Sequence, residues 1–114
     1  MNYDVRPTPT FARQLDQIIS RYPEFTDTII KYLVTLEETG IKGRRIPGKH
    51  SNLFWKDRLP IKGYRGKRGG GRIICYHNPE NPLIIIPAMI YLKSDLSHPT
   101  NQMFKSLLEE IKSL

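Results

Sequence analysis

Two apolar runs in the C-terminal half of the sequence constrain the fold more than any other feature. Residues 72–77 and 83–91 are rich in isoleucine, and the five residues between them, 78–82, form an Asn- and Pro-rich segment that favours a turn. Two strands joined by so short a connection form an antiparallel hairpin. The second run is apolar almost throughout, which predicts a strand buried on both faces. Pro87 cannot donate a ladder hydrogen bond, so we expect a bulge or a break there.

A further strand is predicted at residues 53–59, where Pro60 ends it or places it at an edge. Successive side chains of a strand point to opposite faces of the sheet. One face carries Leu53, Trp55 and Leu59, and the other carries Phe54, Lys56 and Arg58. Two cations, Lys56 and Arg58, are therefore expected on the same face of the sheet.

Two amphipathic helices are predicted before these strands. The first begins at Thr8-Pro9, a capping residue followed by proline at the first helical position, and it stops at Pro23. The second ends near Gly40. The apolar residues that recur at helical spacing are Phe11, Leu15, Ile18, Ile19 and Tyr22 in the first helix and Phe25, Ile29, Ile30, Leu33 and Leu36 in the second. These stripes predict an antiparallel helical hairpin that covers the sheet.

The remaining segments complete a small α+β fold. Residues 3–6 predict a short first strand, residues 41–52 a connector, and a last helix is expected after a cap at Ser97 or Thr100. The predicted order is β-α-α-β-β-β-α, a small antiparallel (mixed) sheet with an N-terminal helical hairpin and a C-terminal helix. A chain of 114 residues is expected to form a single domain over residues 1–114.

Basic charge is concentrated in one block of the chain. The formal net charge is +7, and residues 42–72 alone hold eleven lysines and arginines against one acid, Asp57. The rest of the chain is net acidic, so the basic block is not needed for solubility alone. This distribution favours an anionic partner: nucleic acid, an acidic protein, or both in turn.

The cysteine, histidine and hydropathy patterns argue against several classes of protein. Cys75 is the only cysteine, so neither an internal disulfide nor a cysteine-rich zinc site is expected. The three histidines, His50, His77 and His98, lie in separate loops or strand ends and do not support a metal site. The N-terminus shows no apolar signal core, and the longest apolar run, 83–92, is about half of a membrane span. We therefore expect a cytoplasmic protein that does not bind membranes.

Basic and aromatic side chains are predicted to meet at one end of the sheet. In an antiparallel hairpin the start of one strand meets the end of the other, so Arg72 should neighbour Tyr91, with Lys93 on the same face and the glycine-rich basic loop 62–72 nearby. Such a cluster could cleave RNA without a metal, because guanidinium groups stabilise the charge that develops when a 2′-hydroxyl attacks the adjacent phosphate. The other interpretation is a surface that only binds RNA.

The motifs in this region resemble those of the RelE/ParE superfamily, the toxins of type II toxin–antitoxin modules, and are closest to the RelE/HigB-like branch. The similar segments are the glycine–arginine stretch at residues 65–74 and the end of the last strand at residues 90–97. The resemblance covers nearly the whole chain and implies the α+β fold above. It further implies a ribosome-dependent endoribonuclease, an mRNA interferase, that cleaves mRNA in the decoding site through the 2′-hydroxyl and inhibits translation.

The resemblance also implies site residues and partners. Matched by position, the catalytic group is Arg68, Arg72, Tyr91 and Lys93, and the RNA-binding group is Lys56, Arg58, Arg65 and Lys67. Arg72 would stabilise the scissile phosphate, while Arg68, Tyr91 and Lys93 would share the proton transfers. No metal or cofactor is implied. The expected partners are a cognate antitoxin, which forms a heteromeric complex with the neutralised toxin, and mRNA on the ribosome, with contacts to ribosomal RNA.

Two alternatives follow from the same features. One is a ParE-like toxin that binds a DNA topoisomerase and cuts no RNA. The other is a module that binds nucleic acid through its basic block without catalysis. The convergence of guanidinium groups at strand ends favours the nuclease, since a topoisomerase-binding toxin has no need of it.

Overall fold

The structure is a computed structural model that describes residues 2–64 and 70–114. Its described part contains three helices: α1 (Pro9–Arg21), α2 (Phe25–Thr39) and α3 (Asn101–Lys112). It also contains five strands: β1 (Asp4–Val5), β2 (Arg44–Arg45), β3 (Phe54–Leu59), β4 (Gly71–Tyr76) and β5 (Ile84–Leu92). The strands form one sheet in the order β1-β5-β4-β3-β2, in which β1 is parallel to β5 and the other neighbours are antiparallel. The predicted α+β class with a mixed sheet is confirmed.

The hairpin of β4 and β5 has the register that the sequence predicts. Arg72 pairs with Tyr91, and on its other side Arg72 pairs with Arg58 of β3. A bulge lies where Pro87 led us to expect an irregularity, because Ile74 pairs with Met89 while the next residue, Cys75, pairs with Pro87. Ala88 is therefore the extra residue on β5.

Thr8 connects this bulge to the start of α1. Its backbone N–H donates to the Pro87 carbonyl at 3.0 Å, and its hydroxyl donates to the Ala88 carbonyl at 2.9 Å. The same hydroxyl accepts the Phe11 N–H at 3.0 Å, which is the predicted N-cap bond. One buried threonine thus extends the parallel pairing along β5 to Pro87, satisfies the Ala88 carbonyl at the bulge and caps the first turn of the helix.

The two faces of the sheet are covered by different helices. On one face, the predicted helical hairpin of α1 and α2 packs its apolar stripes against alternate sheet residues, in a cluster that includes Leu59, Ile73, Cys75, Ile85, Ile90 and Leu92. On the opposite face, α3 packs Phe104 and Leu107 in a second cluster with Phe54, Ile74, Ala88, Met89 and Tyr91. Thr100, one of the two predicted caps, begins α3, and its hydroxyl accepts the Met103 N–H at 3.2 Å.

The connector at residues 41–52 contains a strand that sequence patterning did not predict. Arg44 and Arg45 form β2, which pairs with Lys56 and Trp55 at the edge of the sheet. A strand of two residues is too short to show alternation. The residue directly before β2 must be a glycine, because Gly43 has a φ of +95° and any side chain there would collide with the Lys56 carbonyl.

Within the described residues, no helix is both long and apolar enough to cross a membrane.

Candidate functional site

Four predicted site residues line one cleft at the end of the sheet. Lys56 and Arg58 come from β3, Arg72 comes from β4, and Lys93 directly follows β5. We call this site, defined by these four residues, the basic cleft. It encloses about 640 Å³ and is also lined by Gly43, Arg44, Asp57 and Ser97.

The basic cleft follows from strand alternation and the placement of α3. Lys56 and Arg58 share a face of β3 with buried Phe54, and Arg72 shares a face of β4 with buried Ile74. The α3 residues Phe104 and Leu107 pack in the cluster that contains Phe54 and Ile74, and no described residue of α3 lines the cleft. The cations on the same faces of these strands are therefore not covered by α3 and line a cleft at the edge of an apolar core.

Arg72 is the most enclosed cation of the basic cleft. Its side chain is buried, with the residue only 4% exposed, and its Nη1 donates to the Gly71 carbonyl at 3.0 Å. The hydrogen bond fixes part of the guanidinium, whose planar shape suits phosphate and carboxylate groups. The arrangement suits an anion whose charge develops at one fixed place.

Lys56 is the residue of the basic cleft that is best suited to exchange a proton. Burial lowers the pKa of its amine, and the positive charges of Arg72, Arg58 and Lys93 lower it further. The Nζ atom lies 3.2 Å from His98 Nδ1 and 6.0 Å from the centroid of the Tyr91 ring. A lysine with a lowered pKa is neutral more often near neutral pH and can then act as a base.

Tyr91 lies beside the basic cleft without lining it. The residue is 7% exposed, and its buried hydroxyl has no hydrogen-bond partner among the described residues. Burial raises the pKa of Tyr91 to about 12, although the charge of Arg72 acts in the opposite direction. The hydroxyl therefore stays protonated at neutral pH and is a hydrogen-bond donor, while the ring supports the Lys56 amine.

The single carboxylate of the cleft lining is engaged elsewhere. Asp57 accepts a hydrogen bond from the Tyr32 hydroxyl at 3.0 Å through Oδ2, and from the Arg58 backbone N–H at 2.9 Å through Oδ1. Both bonds keep the carboxylate next to α2 and the backbone of β3. The charge of the cleft lining is therefore predominantly positive, and it comes from Arg44, Lys56, Arg58, Arg72 and Lys93.

The ends of the glycine-rich loop are attached to the residues that follow β5. The Lys93 N–H donates to the Gly70 carbonyl at 2.8 Å, and the Ser94 N–H donates to the Tyr64 hydroxyl at 3.0 Å. Tyr64 and Gly70 are thus joined to Ser94 and Lys93, and Lys93 lines the basic cleft. Three predicted site residues, Arg65, Lys67 and Arg68, belong to the segment between Tyr64 and Gly70 and lie outside the described residues.

His98 is a site residue that the sequence did not single out. It lies between β5 and α3, and its ring centroid is 5.9 Å from that of Phe104. Burial and the charge of Lys56 lower the pKa of its imidazole. In the sequence it is separated from Lys56 by 42 residues, and a histidine in a loop shows no pattern that would pair it with a strand lysine.

In the described part of the chain, no group of three His, Cys, Asp or Glu side chains is placed to hold a metal ion.

Comparison with known proteins supports the fold directly. No protein-family model matches the sequence, and a search of curated proteins found no match. Among solved structures, the chain is similar to a double arginine-to-alanine mutant of the E. coli toxin RelE in the free state. The TM-score is 0.57 at 16% sequence identity, and the alignment covers 100% of this chain and 99% of that chain. The resemblance inferred from the motifs is thereby confirmed at the level of the fold: this chain adopts a RelE-like fold.

Proposed function

We propose that the chain is the toxin of a type II toxin–antitoxin system and that it acts as a ribosome-dependent endoribonuclease. The observation that carries the proposal is the basic cleft on a RelE-like fold, in which the buried Arg72 and the cations Lys56, Arg58 and Lys93 line one cavity. Cleavage of mRNA in the decoding site would inhibit translation. The protein would then act in the cytoplasm, where ribosomes are.

The proposed mechanism assigns a task to each cation of the basic cleft. Lys56, in its neutral form, takes the proton of an RNA 2′-hydroxyl, whose oxygen attacks the adjacent phosphorus. Arg72 binds the phosphate oxygens as charge develops on them, and Arg58 adds a second guanidinium beside it. The bond from phosphorus to the 5′-oxygen breaks, and Lys93 supplies the proton that the leaving oxygen needs.

The residues next to the basic cleft have supporting tasks in this proposal. The Tyr91 ring keeps the Lys56 amine in place. Arg65 and Lys67 contact the RNA backbone, and Arg68 adds charge at the scissile phosphate. An antitoxin with an acidic segment would neutralise the toxin by covering these cations.

The combination of a buried arginine with a lysine of lowered pKa supports the nuclease over a module that only binds nucleic acid. Arg72 is 4% exposed, and burial together with the charges of Arg72, Arg58 and Lys93 lowers the pKa of Lys56. A proton acceptor benefits from a lowered pKa. Neither a phosphate-binding surface nor a ParE-like toxin that binds a topoisomerase requires this combination.

The proposal is tested by mapping mRNA 5′ ends after a short pulse of expression, with and without an antibiotic that empties ribosomes of mRNA. We expect new 5′ ends inside coding regions that disappear when the antibiotic is present. New ends that persist would indicate a nuclease that works on free RNA. Growth arrest without new ends would contradict the nuclease, and arrest of DNA replication before translation would indicate the topoisomerase-binding alternative.

A further inference from the structure

We propose that His98 is a positioning residue for Lys56, which holds the lysine amine at the edge of the basic cleft and passes the lysine proton to solvent. The inference rests on the proposed function, because it assumes that Lys56 takes a proton from RNA. Its structural basis is the contact of 3.2 Å between Lys56 Nζ and His98 Nδ1.

The fold brings the two side chains together from separate elements. Lys56 points from the middle of β3, and His98 comes from the segment that enters α3. Thr100 caps α3 two residues later, and Phe104, one turn into the helix, is buried and contacts the His98 ring. The imidazole is therefore held by a capped helix and a core side chain. Ser97, its neighbour in the chain, lines the basic cleft.

The chemistry of the pair is set by the charges around it. Lys56 faces Arg72 of β4, Arg58 of its own strand and Lys93 after β5, and it pairs in register with Arg44 of β2. Burial lowers the pKa of the His98 imidazole, and the charge of Lys56 lowers it further, because a second positive charge on His98 would add to this repulsion. At neutral pH the imidazole is thus neutral, and an unprotonated Nδ1 accepts a hydrogen bond from the Lys56 ammonium.

The pair provides a route for the proton that Lys56 must lose before it can act as a base. An N–H bond of the Lys56 ammonium breaks, and the proton moves to Nδ1 of His98. The imidazolium then releases its Nε2 proton to water, since His98 is an exposed residue. The neutral Lys56 amine takes the 2′-hydroxyl proton while the O2′–P bond forms and the P–O5′ bond breaks. The leaving oxygen takes its proton from Lys93.

The contact is tested first without RNA, by long-range ¹H–¹⁵N NMR of the imidazole nitrogens in the isolated protein. We expect neutral His98 to carry its proton on Nε2, with Nδ1 unprotonated. Lys56→Met should raise the pKa of His98, because a neighbouring positive charge is removed, whereas Lys31→Met on α2 should leave it in place. The proposal would be overturned if neutral His98 carried its proton on Nδ1, or if the pKa of His98 were the same in Lys56→Met as in the parent.

The relay is tested by single-turnover cleavage of mRNA on programmed ribosomes across a pH series, with His98→Asn and His98→Leu. Asparagine keeps an acceptor oxygen near the position of Nδ1 but takes up no proton, and leucine has neither property. We expect His98→Asn to keep the parent KM and to lose rate by roughly 10-fold or more, since proton transfer by a side chain contributes about 100-fold upwards. The acidic limb of its pH profile should stay in place, because the asparagine oxygen still accepts a hydrogen bond from the Lys56 ammonium, so that the loss is one of rate. His98→Leu should in addition raise KM.

His50→Asn is the matched control, because His50 lies against the outer side of α3 and not at the basic cleft. It should reproduce the parent profile. If the parent cleaves and both His98 variants keep its rate and pH profile, His98 has no such role, and the proposed function stands without it. If the parent itself does not cleave, the proposed function fails, and the relay fails with it.

Discussion

Arg72 lies directly opposite Tyr91 in the pairing of β4 with β5 and directly opposite Arg58 in the pairing of β4 with β3. A shift of this register by one residue would turn Arg72 or its partners to the hairpin side of the sheet. The basic cleft therefore exists because the turn at residues 78–82 and the bulge at Ala88 set the register of β5.

Replacement of Arg72 by lysine should separate binding from catalysis. Lysine keeps the charge but not the planar fork that addresses two oxygens at once. In Arg72→Lys we expect the single-turnover rate of mRNA cleavage to fall roughly 100-fold, as is typical when one transition-state donor is removed, with little change in KM. Arg13→Lys on the exposed surface of α1 is the control and should cleave like the parent. A variant that loses affinity and keeps its rate would make Arg72 a binding residue only.

Replacement of Lys56 by methionine should stabilise the protein while it abolishes cleavage. The folded pKa of Lys56 lies below the unfolded value, so the unfolded state holds the proton more tightly, and the charge opposes folding at every pH below the folded pKa. This cost declines as pH rises through the folded pKa toward the unfolded value. The urea midpoint of Lys56→Met should exceed that of the parent at neutral pH, and the difference should shrink at higher pH. Lys31→Met, exposed on α2, should show no such trend; an equal trend in both would contradict the assignment.

Two tyrosine-to-phenylalanine substitutions should have opposite effects on stability. The buried Tyr91 hydroxyl lacks a partner among the described residues, so Tyr91→Phe should leave the free energy of unfolding unchanged or raise it by about 1 kcal/mol. The Tyr32 hydroxyl donates to Asp57, so Tyr32→Phe should lower that free energy by about 1–3 kcal/mol. Urea denaturation of both variants checks the pair. A destabilised Tyr91→Phe would mean that its hydroxyl is bonded in solution.

The bulge should depend on Thr8. Thr8→Val removes the N-cap of α1 and the bond to the Ala88 carbonyl, and we expect a loss of about 2 kcal/mol in the free energy of unfolding. Thr39→Val is matched in shape and removes only a bond to the carbonyl of Thr35 on an exposed helix surface. Its effect should stay within about 0.5 kcal/mol. Equal losses in the two variants would show that the bulge does not need the threonine.

The parts of the site that the sequence predicts are those that depend on local rules. The antiparallel hairpin predicted from the turn brings Arg72 to the end of β5 that carries Tyr91, although the exact pairing also needs the bulge at Ala88. Alternation alone places Lys56 and Arg58 on one face. The helical stripes likewise identify most of the core of α1 and α2. They are wrong for Ile30, which is 53% exposed, and they miss Tyr32, which is buried.

The parts that the sequence does not predict depend on three-dimensional packing. β2 is two residues long and shows no alternation, although it supplies Arg44 to the basic cleft. His98 reaches Lys56 only because α3 crosses the face of the sheet that carries Phe54. The burial of the Tyr91 hydroxyl follows from the packing of the same face. The roles of Arg65, Lys67 and Arg68 remain predictions.

The most direct test of the central claim is cleavage of mRNA on programmed ribosomes with a single 2′-deoxy nucleotide on the 5′ side of the scissile phosphate. If the basic cleft activates the 2′-hydroxyl, the all-ribose mRNA is cut and leaves a 2′,3′-cyclic phosphate, while the deoxy-substituted mRNA stays intact at that position and binds equally well. Equal cleavage of the two mRNAs would contradict the account, because the attacking oxygen would then come from elsewhere.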